Sequence, residues 1–369
     1  MTIDMKEYLL VEPVAKSQYP PLGLLKISSM LKDNDKGCRV YSQVGKGTPK
    51  NLKNPRQIYI SSLFTWDYKY LCDCINFYSR KYPFSKIIVG GIGVSLMDNV
   101  EFPYKNVTVH KGLFMDAEFY PPDYSHTFGR KLNASISFTT RGCKRHCSFC
   151  SVDTLEPTFF AREGWERDID PGLKFITLWD NNFLQSPNFE KDCETLTRFN
   201  KIVDFNQGID SRLYDEKKSR LLSKVRVDPI RFAFDNIDYE RALLKAISIA
   251  KKRTNAEIRV YVLFNFDDSP EELYYRLNLL NKEGVLSFPM RYRCPVETNA
   301  TIPGKKWNTY LLRAFNLSLL FYYKKGLIKK DRTAFLNIYG KSEKDFIQKL
   351  YGIYEYDKSI KREKKKRSA

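Results

Sequence analysis

Short apolar runs alternate with amphipathic stretches from one end of the first third of the chain to the other, and that alternation limits the fold more than any other feature. Glu7–Glu12, Cys38–Tyr41, Gln57–Ser61, Lys86–Gly90 and Val107–His110 read as buried strands. Pro21–Leu31 and Trp66–Tyr82 carry helical spacing between them. Strand and helix in alternation predict a parallel sheet covered on both faces, with ligands bound beyond the carboxyl ends of its strands. The fold class is therefore α/β.

Tyr120-Pro-Pro-Asp-Tyr124 is too rich in proline to continue a helix or a central strand, so a linker is placed at 120–131. The alternation then resumes: Ala134–Thr139, Phe175–Trp179, Ile202–Phe205, Ile230–Phe234, Ile258–Phe264 and Val285–Arg293. Beyond Pro303 the pattern becomes helical. Trp307–Tyr323 is almost free of charge from Ala314 onward and is expected to be buried, and a second helix is expected over Glu343–Tyr354. The domain plan is 1–119, 132–295 and 296–357, followed by a basic and disordered tail at 358–369.

The second series opens on Thr139-Thr-Arg-Gly-Cys-Lys-Arg-His-Cys-Ser-Phe-Cys150, which sets Cys143, Cys147 and Cys150 in a C-x3-C-x2-C spacing. Three thiolates at that spacing can hold three corners of an iron–sulfur cubane and leave one iron open. Structural sites are closed by four protein ligands, whereas reactive sites keep a position free. The competing assignment is a zinc knuckle completed by His146 or Cys294. His146 directly precedes Cys147, where a short loop cannot easily turn both side chains to one metal.

With Phe149 before the last cysteine, the loop resembles that of the radical S-adenosylmethionine (radical SAM) enzymes, whose pattern is C-x3-C-x-aromatic-C. The resemblance implies that Cys143, Cys147 and Cys150 ligate a four-iron four-sulfur (4Fe-4S) cluster, with SAM chelating the fourth iron. One electron then breaks a carbon–sulfur bond to give a 5′-deoxyadenosyl radical, which abstracts hydrogen from the substrate. It also implies that Phe149 lies by the adenine, and that Leu132–Pro295 forms a partial (β/α)6 barrel. The N-terminal Rossmann-like segment resembles the cobalamin-binding-type domain found in one group of these enzymes. That likeness is carried by Pro20–Leu25, Ser61–Leu63 and Gly90–Gly93. Cobalamin is thereby a candidate cofactor, although Tyr41–Gly47 lacks the histidine that ligates cobalt in a group of cobalamin proteins. The glycines also suit a plain tight turn.

Polar residues that follow the strands of a parallel barrel face its reactive end. Asp180, Asn181 and Asn182 follow the second strand of this series, where the family often receives the SAM amine, so Asp180 is a candidate acceptor and Asn181 a candidate partner; Asp180 could equally cap a helix. In Asn206–Arg212, Arg212 offers a planar two-point contact for the SAM carboxylate, and Asp210 could hold Arg212 or a ribose hydroxyl, with Asn206 beside them. Asp235 and Asn265 are candidates for ribose or adenine. Each has a plain reading as a turn residue or surface ion pair.

The 62 Lys and Arg against 43 Asp and Glu give a formal charge of +19, concentrated in part in Lys358–Arg367. RNA or DNA is a candidate substrate on that ground, since clustered cations bind phosphates without reading sequence. A flavodoxin or ferredoxin is the expected electron donor. The five remaining cysteines form no secreted disulfide framework, and no run is long enough to cross a bilayer, so a cytoplasmic protein without membrane attachment is expected. Two other functions compete. One is a nucleic-acid-binding protein with a structural metal site. The other is a transfer RNA methylthiotransferase, for which Cys38, Cys72 and Cys74 are too closely paired to match the additional cluster well.

Overall fold

The computed structural model of the 369-residue chain describes residues 5–296, 302–323 and 326–367. It is a mixed α/β structure that divides into two compact units, 1–188 with 294–300 and 189–293 with 301–369. The division falls after Asn188, inside the stretch that the sequence reading assigns to one barrel.

In the first unit the elements run β1 (Glu7–Glu12), α1 (Leu22–Asn34), β2 (Arg39–Val44), β3 (Gln57–Ser61), α2 (Tyr68–Lys81), β4 (Lys86–Gly90), α3 (Ile92–Ser95), β5 (Val107–Val109) and α4 (Met115–Glu118). The five strands form one parallel sheet in the order β2-β1-β3-β4-β5. Such an order is doubly wound, with its topological switch between β1 and β3. Alternate residues make two separate cores. Leu9, Val11, Ile58, Ile60, Ile87 and Val89 pack with Leu71, Cys74, Ile75 and Tyr78 of α2 on one face. Tyr8, Leu10 and Tyr59 pack with Leu24, Leu25, Ile27, Met30 and Leu31 of α1 on the other. Both faces being buried explains why the strands read as unbroken apolar runs. Cys74 belongs to the first core, and burial pushes its thiol up to about 11, as expected for a packing residue.

The proline-rich connection is fixed at Tyr124. Its hydroxyl accepts from the Ile136 amide at 2.7 Å and lies 3.1 Å from the Asp168 carbonyl. Then follow β6 (Ala134–Ser137), β7 (Thr140–Arg141), α5 (Val152–Leu155), β8 (Phe160–Ala161) and β9 (Phe175–Leu178). β6 and β9 pair in parallel, and β7 and β8 pair antiparallel.

The second unit contains α6 (Phe189–Phe199), β10 (Ile202–Phe205), α7 (Glu216–Leu222), β11 (Ile230–Ala233), α8 (Glu240–Arg253), β12 (Ile258–Phe264), α9 (Pro270–Lys282), β13 (Leu286–Arg291), α10 (Thr309–Tyr322), α11 (Arg332–Tyr339) and α12 (Glu343–Arg367). β11, β12 and β13 form a parallel sheet in that order. Along β12, Ile258, Val260, Val262 and Phe264 are buried and the residues between them are half-buried. Phe264 meets Trp307 and Phe315 on the helical side.

Two expectations about the C-terminal region change. α10 buries one stripe, including Leu311, Leu312, Phe315 and Leu319, but leaves Leu320, Phe321 and Tyr322 exposed, so the lack of charge does not mean burial all round. The backbone of α12 stays helical through Arg367 where a disordered tail from Lys358 is expected, because Lys, Arg and Glu are good helix formers.

Candidate functional site

The cysteine loop is an excursion whose two ends are tied together. β7 leads into it and β8 leads out, and Arg141 pairs with Phe160 at the neck. The Arg162 amide donates to the Thr139 carbonyl at 2.8 Å just beyond. Beneath the neck, Phe138 of the β6 exit packs with Leu22, Ile136, Tyr19 and Trp179. The Arg141 guanidinium lies 3.6 Å above the Phe138 ring centre.

Asp180, which follows β9, is buried, and its carboxylate accepts from both backbone and side chain of the two threonines that open the loop. The contacts are 3.0 and 2.6 Å from the Thr139 amide and hydroxyl, and 2.7 and 2.8 Å from those of Thr140. Burial pushes its pKa up, and these donors pull against that shift. In this structure Asp180 neither caps a helix nor keeps a carboxylate open for an ammonium; it fixes the approach to Cys143. Asn181 donates to Glu156 Oε2 at 3.1 Å, and its amide lies 3.5 Å from the Gly142 carbonyl.

Glu156 joins these groups. One of its oxygens accepts from the Gly142 amide at 2.7 Å and the other from Arg141 Nη1 at 2.8 Å. Gly142 has φ +71°, and a Cβ there would lie 2.6 Å from the Thr158 carbonyl oxygen, so only glycine fits. One residue past Cys143, the Lys144 amide donates to Gln185 Oε1 at 2.9 Å. The Arg145 amide donates to Cys143 Sγ at 3.4 Å, and the Cys150 amide closes a turn onto the Cys147 carbonyl at 2.9 Å.

Cys143 and Cys147 are half-buried and Cys150 is exposed; all three are free thiols. Desolvation within the loop pushes the Cys150 thiol up, and negative charge on Cys147 and Cys143 adds to the shift. Among the described residues no three His, Cys, Asp or Glu side chains are gathered at metal-binding separations. The three thiols are neighbours on a loop with fixed ends. Their chemistry fits an iron–sulfur cluster, which takes thiolate ligands. His146, the nearest candidate for a fourth zinc ligand, is 80% exposed and places Nδ1 2.9 Å from Asp153 Oδ2. Phe149, between Cys147 and Cys150, is half-buried.

The residues that carry the cobalamin likeness are engaged in backbone packing. The Gly93 amide donates to the Ser62 carbonyl at 3.0 Å, and the Ser62 amide to the Gly90 carbonyl at 3.0 Å. A Cβ on Gly91 would lie 2.5 Å from Ser62 O, and one on Gly93 2.7 Å from the Phe64 backbone. The plain reading of these glycines, a close approach of two turns, accounts for them, and no step is assigned to cobalamin.

The remaining candidates lie in the second unit. Asp210 caps a short 3-10 turn by accepting from the Arg212 amide at 3.1 Å and holds the Arg212 guanidinium through Nε at 2.7 Å and Nη2 at 3.2 Å. That guanidinium also lies 4.1 Å above the Tyr239 ring centre. Asp235, after β11, has its pKa pushed up to about 6 by burial, against the opposing influence of Arg276 and Arg212. The Asn206 carbonyl accepts from the Tyr261 hydroxyl at 2.8 Å, and its side chain is half-buried.

Asn265 differs from these. It is buried with φ +70°, accepts from the Gly304 amide at 2.7 Å, and donates to the Tyr292 carbonyl at 3.1 Å. Its amide ties the end of β12 to the exit of β13 and to the segment before α10, in place of the ribose or adenine contact expected of it.

Glu156, Gln185, Glu118 and Arg162 escape the sequence reading. Lys26 escapes it as well, although a cation inside the apolar run of α1 is a signal that could have found it.

Comparison with known proteins adds little to this chemistry. No protein-family model matches the chain, and no curated protein does. Among solved structures, the chain is similar to Streptococcus suis SuiB bound to precursor peptide SuiA, at 12% identity over 52% of this chain and 46% of that one, with a TM-score of 0.39. SuiB bound to S-adenosylmethionine gives 14% identity, 52% and 47% coverage, and a TM-score of 0.39. The matched region thus spans less than half the length of those chains.

Proposed function

We propose that this chain is a radical SAM enzyme in which Cys143, Cys147 and Cys150 hold three irons of a four-iron four-sulfur cluster. The observation that carries the reading is the C-x3-C-x-aromatic-C spacing itself, set on a loop whose entry is fixed by Asp180, Asn181 and Glu156 and whose first turn is held by Gln185. When bound, the cluster supplies the electron that cleaves SAM to a 5′-deoxyadenosyl radical.

The chain's own groups do the rest. The three thiols lose their protons and present sulfur to iron, which favours soft ligands. The loop backbone at Phe149 would approach the adenine. Arg212, oriented by Asp210 and Tyr239, would receive the SAM carboxylate, while Asn206 and Asp235 would line the ribose side. Asp180 and Asn265 act on backbone and hold these loops in place. We assign the strands from Ala134 to Arg291 to one partial barrel, as the resemblance to the family implies.

A flavodoxin or ferredoxin delivers the electron. The formal charge of +19 makes RNA and DNA the first substrates to try.

The test is release of 5′-deoxyadenosine from SAM by anaerobically reconstituted, reduced protein, beside a variant with Cys143, Cys147 and Cys150 changed to alanine. Release by the wild type alone supports the enzyme. Zinc in place of iron and sulfide, with no SAM binding, would instead favour a structural metal site.

A further inference from the structure

We propose that Glu118 is a positioning residue for the cysteine loop and that Lys26 holds Glu118 in register, so that the N-terminal sheet region sets the geometry at Cys143. The proposal rests on the cluster reading above only for what the loop binds.

The path is continuous. Lys26, 2% exposed on α1, donates from Nζ to the Glu118 carbonyl at 2.7 Å and to Glu118 Oε1 at 3.1 Å. Glu118, 4% exposed at the end of α4, accepts two parallel bonds from Arg141, Nε to Oε1 at 2.9 Å and Nη2 to Oε2 at 2.8 Å. Arg141 Nη1 reaches Glu156, whose other oxygen holds the Gly142 amide, and Cys143 follows. Arg162 braces the junction. It donates to the Glu118 carbonyl at 3.1 Å, to the Phe138 carbonyl at 3.0 Å and to Asp168 at 2.7 Å.

Stability alone does not explain so many buried charges. Apolar packing of equal volume often matches or exceeds a buried ion network, because desolvation offsets the Coulomb attraction. What the network provides is geometry. A bidentate arginine–carboxylate pair fixes a plane and a distance, and here it does so two residues before a proposed ligand and one before the left-handed turn at Gly142. The Lys26 ammonium joins the two guanidinium groups as a third cation on the Glu118 carboxylate and, through the Glu118 carbonyl, ties the end of α4 to α1.

The test compares wild type with Lys26→Met, Lys26→Arg and Glu118→Gln. Amide hydrogen exchange in the metal-free proteins is read at the loop entry, 139–145, with β1 as an internal reference. After reconstitution, iron and sulfide content, the electron paramagnetic resonance spectrum of the reduced cluster and its midpoint potential are read. Lys26→Met and Glu118→Gln should speed exchange at the loop entry at least tenfold while β1 stays protected, and should change the resonance spectrum. Lys26→Arg should restore both. Unchanged exchange and an unchanged spectrum would overturn the proposal, as would acceleration that extends equally to β1, since the network would then support the fold in general. A wild type that takes up no iron and sulfide would instead remove the cluster reading, while exchange in the metal-free proteins would still decide the positioning role.

Discussion

The Gly142 amide donates to Glu156 Oε2 at 2.7 Å, so a carboxylate from the far side of the loop sets the backbone immediately before Cys143. The bond spans 14 residues that contain all three cysteines. The frame that presents the thiol trio is thereby fixed at its entry.

Gly142→Ala should therefore damage the frame. A methyl group 2.6 Å from the Thr158 carbonyl oxygen, at φ +71°, forces the neck of the loop apart. The expected cost is about 1–3 kcal/mol of stability, the range for a strained backbone position. Iron content after reconstitution should fall well below that of wild type. Thermal melts and iron analysis check both, and a fully loaded, equally stable variant would show that the neck is not constrained.

Asp180→Asn separates anchoring from ligand binding. The substitution keeps shape, and its carbonyl oxygen can keep the four bonds that Oδ1 accepts, but its NH2 replaces Oδ2 and sets a donor against the Thr139 amide 3.0 Å away, at about 1–3 kcal/mol. Loss of stability and of cluster is expected, with SAM affinity per loaded cluster within twofold of wild type. A stable, loaded protein whose SAM affinity drops tenfold or more would return Asp180 to the role of ammonium acceptor.

The strands were legible because both faces of a parallel sheet are apolar, and the cysteine loop was legible because its spacing is local. The anchors were not. Lys26 and Glu118 are 92 residues apart and Lys144 and Gln185 are 41 apart, and nothing in either neighbourhood points to the other. Asp180 and Asn265 illustrate a second gap. A polar residue after an apolar strand looks the same in sequence whether it faces a cavity or an adjacent backbone, and the positive φ of Asn265 is invisible without coordinates. Lys26 carried a signal that the sequence reading passed over, since a cation inside an apolar helical stripe needs a buried partner.

Acid should weaken the Lys26–Glu118–Arg141 network in a definite window. Burial alone would raise the Glu118 pKa, but the Arg141 hydrogen bonds and the nearby cations bring it from 4.5 down to about 2. A carboxylate with a depressed folded pKa stabilises the fold above its unfolded value and loses that contribution as pH falls through the folded one. The stability difference between wild type and Glu118→Gln should narrow by about 3 kcal/mol from pH 5 to pH 2, at 1.36 kcal/mol per pKa unit. Denaturant titrations across that range read it, and a constant difference would mean that folding does not shift the Glu118 pKa.

Asp235 has the opposite sign, and that makes it the most informative candidate in the second unit. Burial raises its pKa from 3.8 to about 6, against the pull of Arg276 and Arg212. A raised folded pKa means that the protonated acid is the form the fold favours, so its contribution is complete below the unfolded value and is lost as pH rises through about 6. At pH 7 the ionised group burdens the fold by up to about 3 kcal/mol, and Asp235→Asn should recover part of that. A carboxylate kept at a cost to stability at the end of a strand is better explained by what it binds than by what it packs against. The variant should therefore be more stable than wild type at pH 7.5 by chemical denaturation and carry normal iron, yet release 5′-deoxyadenosine at least tenfold more slowly. Higher stability with undiminished release would take Asp235 out of the site. Lower stability would mean that the carboxylate has a structural partner that the asparagine cannot serve.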